Sequence, residues 1–126
     1  MDARIIKREK HRRGDGYLVE LFSEKYNDFN AVHSYLVSIE PGKSRAGHFH
    51  KKKNELIFPV DGKVVVLISD GSEKKEIILG SEENEYAAVL IPPNINHLVE
   101  NRTDKPAKIV VFSDSFDLED TYKVEE

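Results

Sequence analysis

The chain has 126 residues, of which 39% are hydrophobic and 33% charged, and its formal net charge is −4. This length suffices for one domain with a real core and is short for two, so we predict that residues 1–126 form one domain. The negative charge disfavours nucleic-acid binding, and the absence of cysteine excludes disulfides and thiolate chemistry. No apolar run approaches the ~20 residues that span a bilayer, and residues 1–13 lack a signal-peptide core. We therefore expect a cytoplasmic protein without membrane contact.

In chain order, the sequence predicts short strands separated by turns. Turn signals recur about every ten residues between runs rich in β-branched and aromatic residues, which is typical of sandwiches and barrels. The predicted strands cover residues 17–22, 31–39, 55–60, 63–69, 76–79, 86–91, 95–100 and 107–112. No segment has a helical period over three turns, and residues 118–126 fit either a short helix or an extended tail. We predict an all-β fold, an antiparallel β-barrel or jelly roll.

Two turns are marked by aspartate and glycine. Asp61-Gly62 lies between two β-rich runs, which is a strong short-range hairpin signal. We therefore predict a hairpin there, with positive φ at Gly62. Asp70-Gly71-Ser72 marks a second turn, before the strand at 76–79.

Three histidines and one glutamate form a candidate metal site. His48 and His50 are two residues apart, so on a strand they would project from the same face. Lys51–Asn54 is polar and predicts a turn, after which Glu55 would open the next strand and point back towards the two histidines. His97 follows a proline turn far along the chain. Three imidazoles and a carboxylate suit one divalent ion, namely zinc, iron, manganese or nickel.

Each of these residues also has an ordinary interpretation. A lone histidine on a strand is most often a surface or core residue, and Glu55 alone would be a solvated charge. We assign no site role to His11 or His33. Only the spacing of the whole set favours a shared ion.

That spacing resembles the complete first motif of the cupin superfamily. Five residues separate Gly42 from His48, one separates His48 from His50, four separate His50 from Glu55, and six separate Glu55 from Gly62. The resemblance implies a cupin-type β-barrel that binds a metal.

The second cupin motif is partly present. Pro92, Asn94, His97 and Asn101 keep its spacing, but Asn94 stands where glycine is usual. A second glycine position is occupied by Tyr86. Because glycine and asparagine both tolerate positive φ, we expect the turn at Asn94 to survive the exchange.

Other segments indicate a narrower relationship. His11–Leu21 is similar to the N-terminal strand of the dTDP-4-dehydrorhamnose 3,5-epimerase and sugar 3,4-ketoisomerase groups. Gly47–Glu55 and Asp120–Tyr122 resemble the cupin domain of capsular-polysaccharide synthesis enzymes, in which a metal-bearing cupin acts on a nucleotide-linked keto sugar. The ketoisomerases carry the two histidines but no glutamate at the position of Glu55, and they are not generally metal-dependent. Glu55 thus places the chain nearer the metal-bearing branch, and the resemblance implies a homodimer.

Four residues are candidates for catalysis or substrate binding. Tyr35 and His97 are the catalytic candidates, since a phenol or an imidazole can move a proton at a keto sugar. Arg45 is a candidate for a bidentate phosphate or carboxylate contact, and Arg13 would, by the resemblance, reach a substrate diphosphate. The ordinary alternatives are core packing for Tyr35 and solvated surface charges for the two arginines.

The leading hypothesis is an isomerase or epimerase of a nucleotide-activated keto sugar in polysaccharide biosynthesis. It would remove a proton beside a carbonyl that the metal polarises. The alternatives are a metal-dependent dioxygenase or other small-molecule cupin enzyme, and a non-enzymatic sugar-binding cupin. The sequence has no phosphate-binding loop, dinucleotide fingerprint or nucleophile elbow.

Overall fold

A computed structural model describes residues 3–23, 29–81, 86–117 and 119–123, and these ranges contain strands and no helix. The all-β prediction is therefore confirmed. The described residues thus contain no helix that could cross a membrane. The strands are β1 Arg4–Lys7, β2 Lys10–Arg13, β3 Gly16–Val19, β4 His33–Ile39, β5 Ser44–Phe49, β6 Glu55–Asp61, β7 Val64–Ser69, β8 Lys74–Leu79, β9 Ala87–Ile91, β10 Asn96–Glu100, β11 Ala107–Ser113 and β12 Tyr122–Lys123.

The strands form two antiparallel five-stranded sheets and a separate ribbon. The first sheet has the order β1-β9-β6-β11-β4, the second β12-β5-β10-β7-β8, and β2 pairs with β3 to form the ribbon. From β4 onwards the chain passes repeatedly from one sheet to the other, as in a jelly roll. Within the described residues no strand pairing joins the two sheets, so the jelly roll is an open sandwich.

An aliphatic core fills the space between the sheets. Ile57 and Val89 of the first sheet face Val66 and Leu79 of the second, and each of these four side chains is at most 2% exposed. The outer face of the first sheet is covered by a second cluster that includes Phe29. Strands β6 and β9 are therefore buried on both faces, which explains their continuous apolar sequence.

The predicted hairpin at Asp61-Gly62 is wrong, because β6 and β7 belong to different sheets. The turn carries the chain around a corner of the sandwich, and the Asp-Gly signal does not distinguish a corner from a hairpin. The predicted positive φ is confirmed, at 78° for Gly62. A Cβ at Gly62 would lie 3.2 Å from the Pro106 carbonyl oxygen, and a Cβ at Gly80 would collide with the Gly62 carbonyl oxygen.

The hairpin lies at the second predicted turn. Ser69 pairs with Lys74 in the β7–β8 ladder, and the Asp70 carboxylate accepts hydrogen bonds from the backbone N–H groups of Ser72 and Glu73 at 2.9 and 2.7 Å. The chain end contains the extended strand β12, which pairs with β5. Residues 118 and 124–126, for which the sequence fits either a short helix or an extended tail, lie outside the described residues.

Candidate active site at one end of the sandwich

The four residues of the candidate metal site come together from both sheets. His48 on β5 pairs with His97 on β10, and His50 follows the end of β5. Glu55 opens β6 in the opposite sheet, after the non-regular segment Lys51–Asn54. One donor atom from each of the four side chains lies within 4.8 Å of the others.

A β-bulge in β5 directs side chains into this space. His97 pairs with His48 and the next residue, Leu98, pairs with Ala46, so β5 contains one extra residue. Ala46 and Gly47 both have φ of 76° at this point. Side chains three apart on a regular strand point to opposite faces, but Arg45 and His48 line the same cavity because of the bulge.

Glu55 is the centre of the hydrogen-bond network, and it is only 1% exposed. Its Oε1 lies 2.7 Å from Nε2 of His50 and 3.2 Å from Nε2 of His97. Its Oε2 accepts hydrogen bonds from the Tyr35 hydroxyl at 3.0 Å and from the Ser113 hydroxyl at 3.4 Å. A carboxylate so deeply buried requires such partners, since an unpaired charge would be costly.

Backbone carbonyls fix the orientation of two imidazoles. Nδ1 of His50 lies 2.6 Å from the Asp120 carbonyl oxygen, and Nδ1 of His97 lies 3.2 Å from the Ile95 carbonyl oxygen. Because a carbonyl only accepts, both Nδ1 atoms carry a proton, and both Nε2 atoms face Glu55. A carboxylate also only accepts, so this arrangement is completed either by a second proton on the imidazole or by a metal ion.

Burial and the neighbouring charges shift three pKa values. Burial alone would raise the pKa of Glu55, but its hydrogen bonds with His50 and His97, and then electrostatic attraction to the same two imidazoles, hold it well below its usual range. Burial, and then the Glu55 carboxylate, raise the pKa of Tyr35, so the phenol stays protonated at neutral pH. Burial, followed by repulsion from His97 and His50, lowers the pKa of His48 to about 4.

The donor set fits a divalent metal ion. The site offers three imidazole nitrogens and a carboxylate oxygen, and two of the imidazoles have their other nitrogen held by a carbonyl, as is usual for histidine ligands. The donor atoms lie up to 4.8 Å apart, whereas two donors about 2.0–2.2 Å from one ion can be at most about 4.4 Å apart, so the side chains would move slightly closer together to bind an ion. The part of the chain that the structure describes contains one such group of four.

The site forms the polar wall of a cavity of about 290 Å³. The remaining wall is mainly aliphatic, so a bound ligand would be partly desolvated. The lining residues are Tyr35, Val37, Arg45, Ala46, His48, Glu55, Ile57, His97, Val99, Ile109 and Val111.

The structure thus brings Tyr35 and Arg45 to the predicted metal site, but it does not bring Arg13 there. Arg13 is exposed at the end of β2, on the ribbon, and it does not line this cavity. Its contact with a diphosphate stays a prediction.

Sequence reasoning missed two residues that support the site. The Ser113 hydroxyl donates a hydrogen bond to Glu55, and the Asp120 backbone carbonyl accepts one from Nδ1 of His50. Ser113 had a usable signal, because it continues the buried face of β11 after Ile109 and Val111. For Asp120 the sequence indicates only that Asp120–Tyr122 resembles part of the capsular-polysaccharide enzymes, and it predicts no role for the residue.

Comparison with solved structures confirms the fold. A 3,4-ketoisomerase from Helicobacter canadensis has a TM-score of 0.85 and 24% identity, over 98% of this chain and 92% of that one. QdtA, a sugar 3,4-ketoisomerase from Thermoanaerobacterium thermosaccharolyticum in complex with TDP, has a TM-score of 0.84 and 18% identity, over 98% and 88%. A dTDP-4-dehydrorhamnose 3,5-epimerase from Bacillus anthracis, with TDP and PPi bound, has a TM-score of 0.82 and 18% identity, over 98% and 78%.

Among curated protein sequences, none matches this chain. A family model does, over residues 1–125, and its description is "FdtA: WxcM-like, C-terminal". That match spans nearly the whole chain and includes all four residues of the candidate metal site. The chain therefore belongs to the FdtA family, of the WxcM-like C-terminal type.

Proposed function

We propose that this chain is a metal-dependent isomerase or epimerase of a nucleotide-activated keto sugar. The observation that carries the proposal is the buried Glu55–histidine cluster in the wall of a cavity that also presents the Tyr35 hydroxyl and the Arg45 guanidinium. Such a cavity combines proton-transfer groups with a cation suited to a phosphate. The TDP and TDP-sugar complexes among the similar structures support this substrate class.

The size of the cavity suggests how such a substrate would lie. A volume of about 290 Å³ is at the small end of ligand pockets, enough for one sugar ring. The sugar would enter between the sheets, and the nucleotide would stay outside. Arg45 would contact the diphosphate with two parallel N–H groups, which a lysine could not provide.

The reaction removes a proton from the carbon beside the carbonyl. An isomerase returns a proton to the former carbonyl carbon, whereas an epimerase returns it to the opposite face of the same carbon. We assign the removal to His48, which lines the cavity, because both ring nitrogens of His97 already face acceptors. The Tyr35 hydroxyl donates its single proton to Glu55. During the reaction it would turn this proton towards the developing oxyanion, and in the isomerase reaction it would regain a proton from the substrate hydroxyl that becomes the new carbonyl. His97, the other catalytic candidate from the sequence, would then orient Glu55.

His50, Glu55 and His97 would hold the ion, and His48 is a possible fourth ligand. Two histidines and a carboxylate form a known divalent-metal set with open positions. When bound, the ion would polarise the substrate carbonyl as a Lewis acid. The homodimer implied by the resemblance remains part of the proposal, and it is the setting in which the exposed Arg13 would reach a neighbouring site.

The test is incubation with TDP-4-keto-6-deoxyglucose in D₂O, followed by proton NMR. We expect deuterium to enter beside the carbonyl and a new keto sugar to form, and we expect His48→Gln to stop both. Arg102→Gln is a suitable control, because Arg102 pairs with Glu76 and Glu100 on the outer surface. Wild-type protein that exchanges no carbon-bound proton with this or related keto sugars would contradict the proposal.

The metal is tested separately, by elemental analysis of protein purified without a metal-affinity tag. We expect close to one divalent ion per chain, loss of activity with a chelator, and recovery on adding one of zinc, iron, manganese or nickel. His50→Ala should lose most of the ion while keeping its β-sheet circular dichroism. Full activity in metal-free, chelator-treated protein would remove the metal from the proposal and leave acid–base isomerisation by the same histidines.

A further inference from the structure

The loop between His50 and Glu55 is held by two carboxylates from a distant part of the chain. The Asp120 carboxylate accepts hydrogen bonds from the three backbone N–H groups of Lys51–Lys53, at 2.8, 3.0 and 3.1 Å. The Asp114 carboxylate accepts from the backbone and side-chain N–H groups of the next residue, Asn54, at 2.9 and 2.8 Å. Every backbone N–H of this loop therefore has a carboxylate acceptor.

Asp120 also contacts the active-site histidine itself. Its carbonyl oxygen lies 2.6 Å from Nδ1 of His50, and the residue is only 2% exposed. Asp120 thus accepts a hydrogen bond from the His50 imidazole with its backbone carbonyl, and with its carboxylate it accepts hydrogen bonds from the three residues that follow His50. Fixing Nδ1 in this way leaves Nε2 of His50 directed at Glu55.

The segment around Asp120 is itself anchored beside the site. Tyr122 on β12 pairs with Phe49 on β5, and their rings stack with centroids 5.4 Å apart and an interplanar angle of 24°. The Lys51 ammonium lies 4.3 Å from the centroid of the Tyr122 ring. The strand that carries His48 and the loop that follows it are therefore both packed against the end of the chain.

We propose that Asp120 is a positioning residue for the reaction, which sets the distance and orientation of His50 relative to Glu55. The inference rests on the proposed function, because it assigns His50 and Glu55 to the reacting site. A loop containing three consecutive lysines would not adopt this conformation unaided, since its N–H groups would prefer water and its charges repel one another. The buried carboxylate compensates for both.

Asp70 provides a matched control. It is also an aspartate whose carboxylate accepts backbone N–H bonds in a turn, from Ser72 and Glu73, but it lies in the exposed β7–β8 hairpin. The variants to compare are Asp120→Asn, Asp120→Ala and Asp70→Asn in the full chain. Asparagine keeps one acceptor oxygen and loses the charge, so it should fall between aspartate and alanine in effect.

The first readout is steady-state kinetics with the substrate above. For Asp120→Ala we expect kcat to fall by about 10- to 100-fold, the usual result of removing support from a site residue. KM should change by less than about 3-fold, because Asp120 and His50 do not line the cavity. Asp70→Asn should leave both parameters unchanged. A smaller active fraction would also lower the apparent kcat at unchanged KM, so kcat is divided by the folded fraction of the same preparation, measured by urea unfolding. A purely structural role would leave this corrected kcat unchanged.

The second readout does not depend on activity. In ¹⁵N-histidine-labelled protein, with His50 assigned by His50→Gln, we expect a slowly exchanging Nδ1–H signal for His50 in wild type and in Asp70→Asn. That signal should broaden or shift in Asp120→Asn. If wild type has no isomerase activity, the proposed function fails while this signal still decides whether Asp120 positions His50.

Unchanged His50 signals together with kcat within about 2-fold of wild type in Asp120→Ala would overturn the inference. If Asp120→Ala does not fold, Asp120→Asn decides in the same way. An equal loss in Asp120→Asn and Asp70→Asn would also overturn it, because the effect would then belong to turn stability in general.

Discussion

The apolar interior of the sandwich and the end that carries the candidate site contain equally buried side chains, but different interactions stabilise the two regions. Val66 in the interior is fully buried, and Glu55 at the site is 1% exposed. The interior gains stability from non-directional burial of aliphatic surface. The site is maintained by directional hydrogen bonds to Glu55 from four side chains of both sheets. Substitutions in the interior should therefore lower stability first, and substitutions at the site should lower activity first.

The largest effect is expected from truncation in the interior. Leu79→Ala should lower the free energy of unfolding by about 2–5 kcal/mol, because the closely packed sheets cannot close around the cavity that is left. The neighbouring residue Ile78 points outward and is 43% exposed, so Ile78→Ala is the control and should cost less than about 1 kcal/mol. Urea unfolding of both variants measures the difference. Equal losses would mean that the interior is not the source of stability.

The second effect concerns the site. Glu55→Gln should lower kcat/KM by about 100-fold, equivalent to about 2.7 kcal/mol, because the amide no longer provides the negative charge that orients Tyr35 and the histidines. The side chain keeps its shape and one acceptor oxygen, so the change in unfolding free energy should be smaller than this. Kinetics and urea unfolding of the same preparation test both parts. A variant that loses more stability than activity would contradict the distinction between the two regions.

A smaller effect is expected at the corner turn. Gly62→Val should cost more than about 1 kcal/mol of stability, since a β-branched residue is strained at positive φ. Gly71 has φ of 98°, and a Cβ there would meet nothing within 4 Å, whereas a Cβ at Gly62 would crowd Pro106 and Ala107. Thermal unfolding of Gly62→Val against Gly71→Val therefore isolates the crowding. Equal costs would show that backbone strain alone matters at the corner.

The most gradual effect is on the pH dependence of stability. The pKa of His48 is about 4 in the folded chain against about 6.5 for a free histidine, so below pH 6.5 the unfolded chain binds a proton that the folded chain does not. Stability should thus fall as the pH falls from 6.5 to 4. The lowered pKa values of Glu55 and Asp120 act in the same direction at still lower pH.

Urea unfolding at pH 7, 6 and 5, in the presence of a chelator, measures this slope. His48→Gln should flatten it between pH 6.5 and 4.5. A slope that is the same in wild type and in His48→Gln would assign the loss of stability to other groups.

Much of the fold could be predicted from the sequence, because most strands carry their own β-branched composition. Strand β5 was not among the predicted runs, since it includes Arg45 and Gly47 and acquires its conformation by pairing with β10. The corner at Asp61-Gly62 was mistaken for a hairpin because local turn chemistry does not specify which sheet the next strand joins. The turn at Asn94 was predicted correctly, with φ of 68°.

The proximity of the four site residues could be anticipated because His48, His50 and Glu55 are close in sequence and have a recognisable spacing. The role of Asp120 could not, because it acts on backbone N–H groups 67 to 69 residues away. Every residue except proline carries such a group, so the partner has no sequence signature. Only the folded arrangement identifies it.

The bulge in β5 makes this end of the sandwich tolerant of a change in chain length. Arg45 pairs with Val99 and His48 with His97, so the extra residue between them is absorbed without changing which of their side chains face the cavity. Deleting one residue at Ala46 or Gly47 would restore regular pairing with β10, and Arg45 and His48, then two residues apart, would still lie on one face. A single codon lost at this point would therefore leave both side chains in the cavity, whereas the same loss in a regular strand would turn the following side chains to the other face.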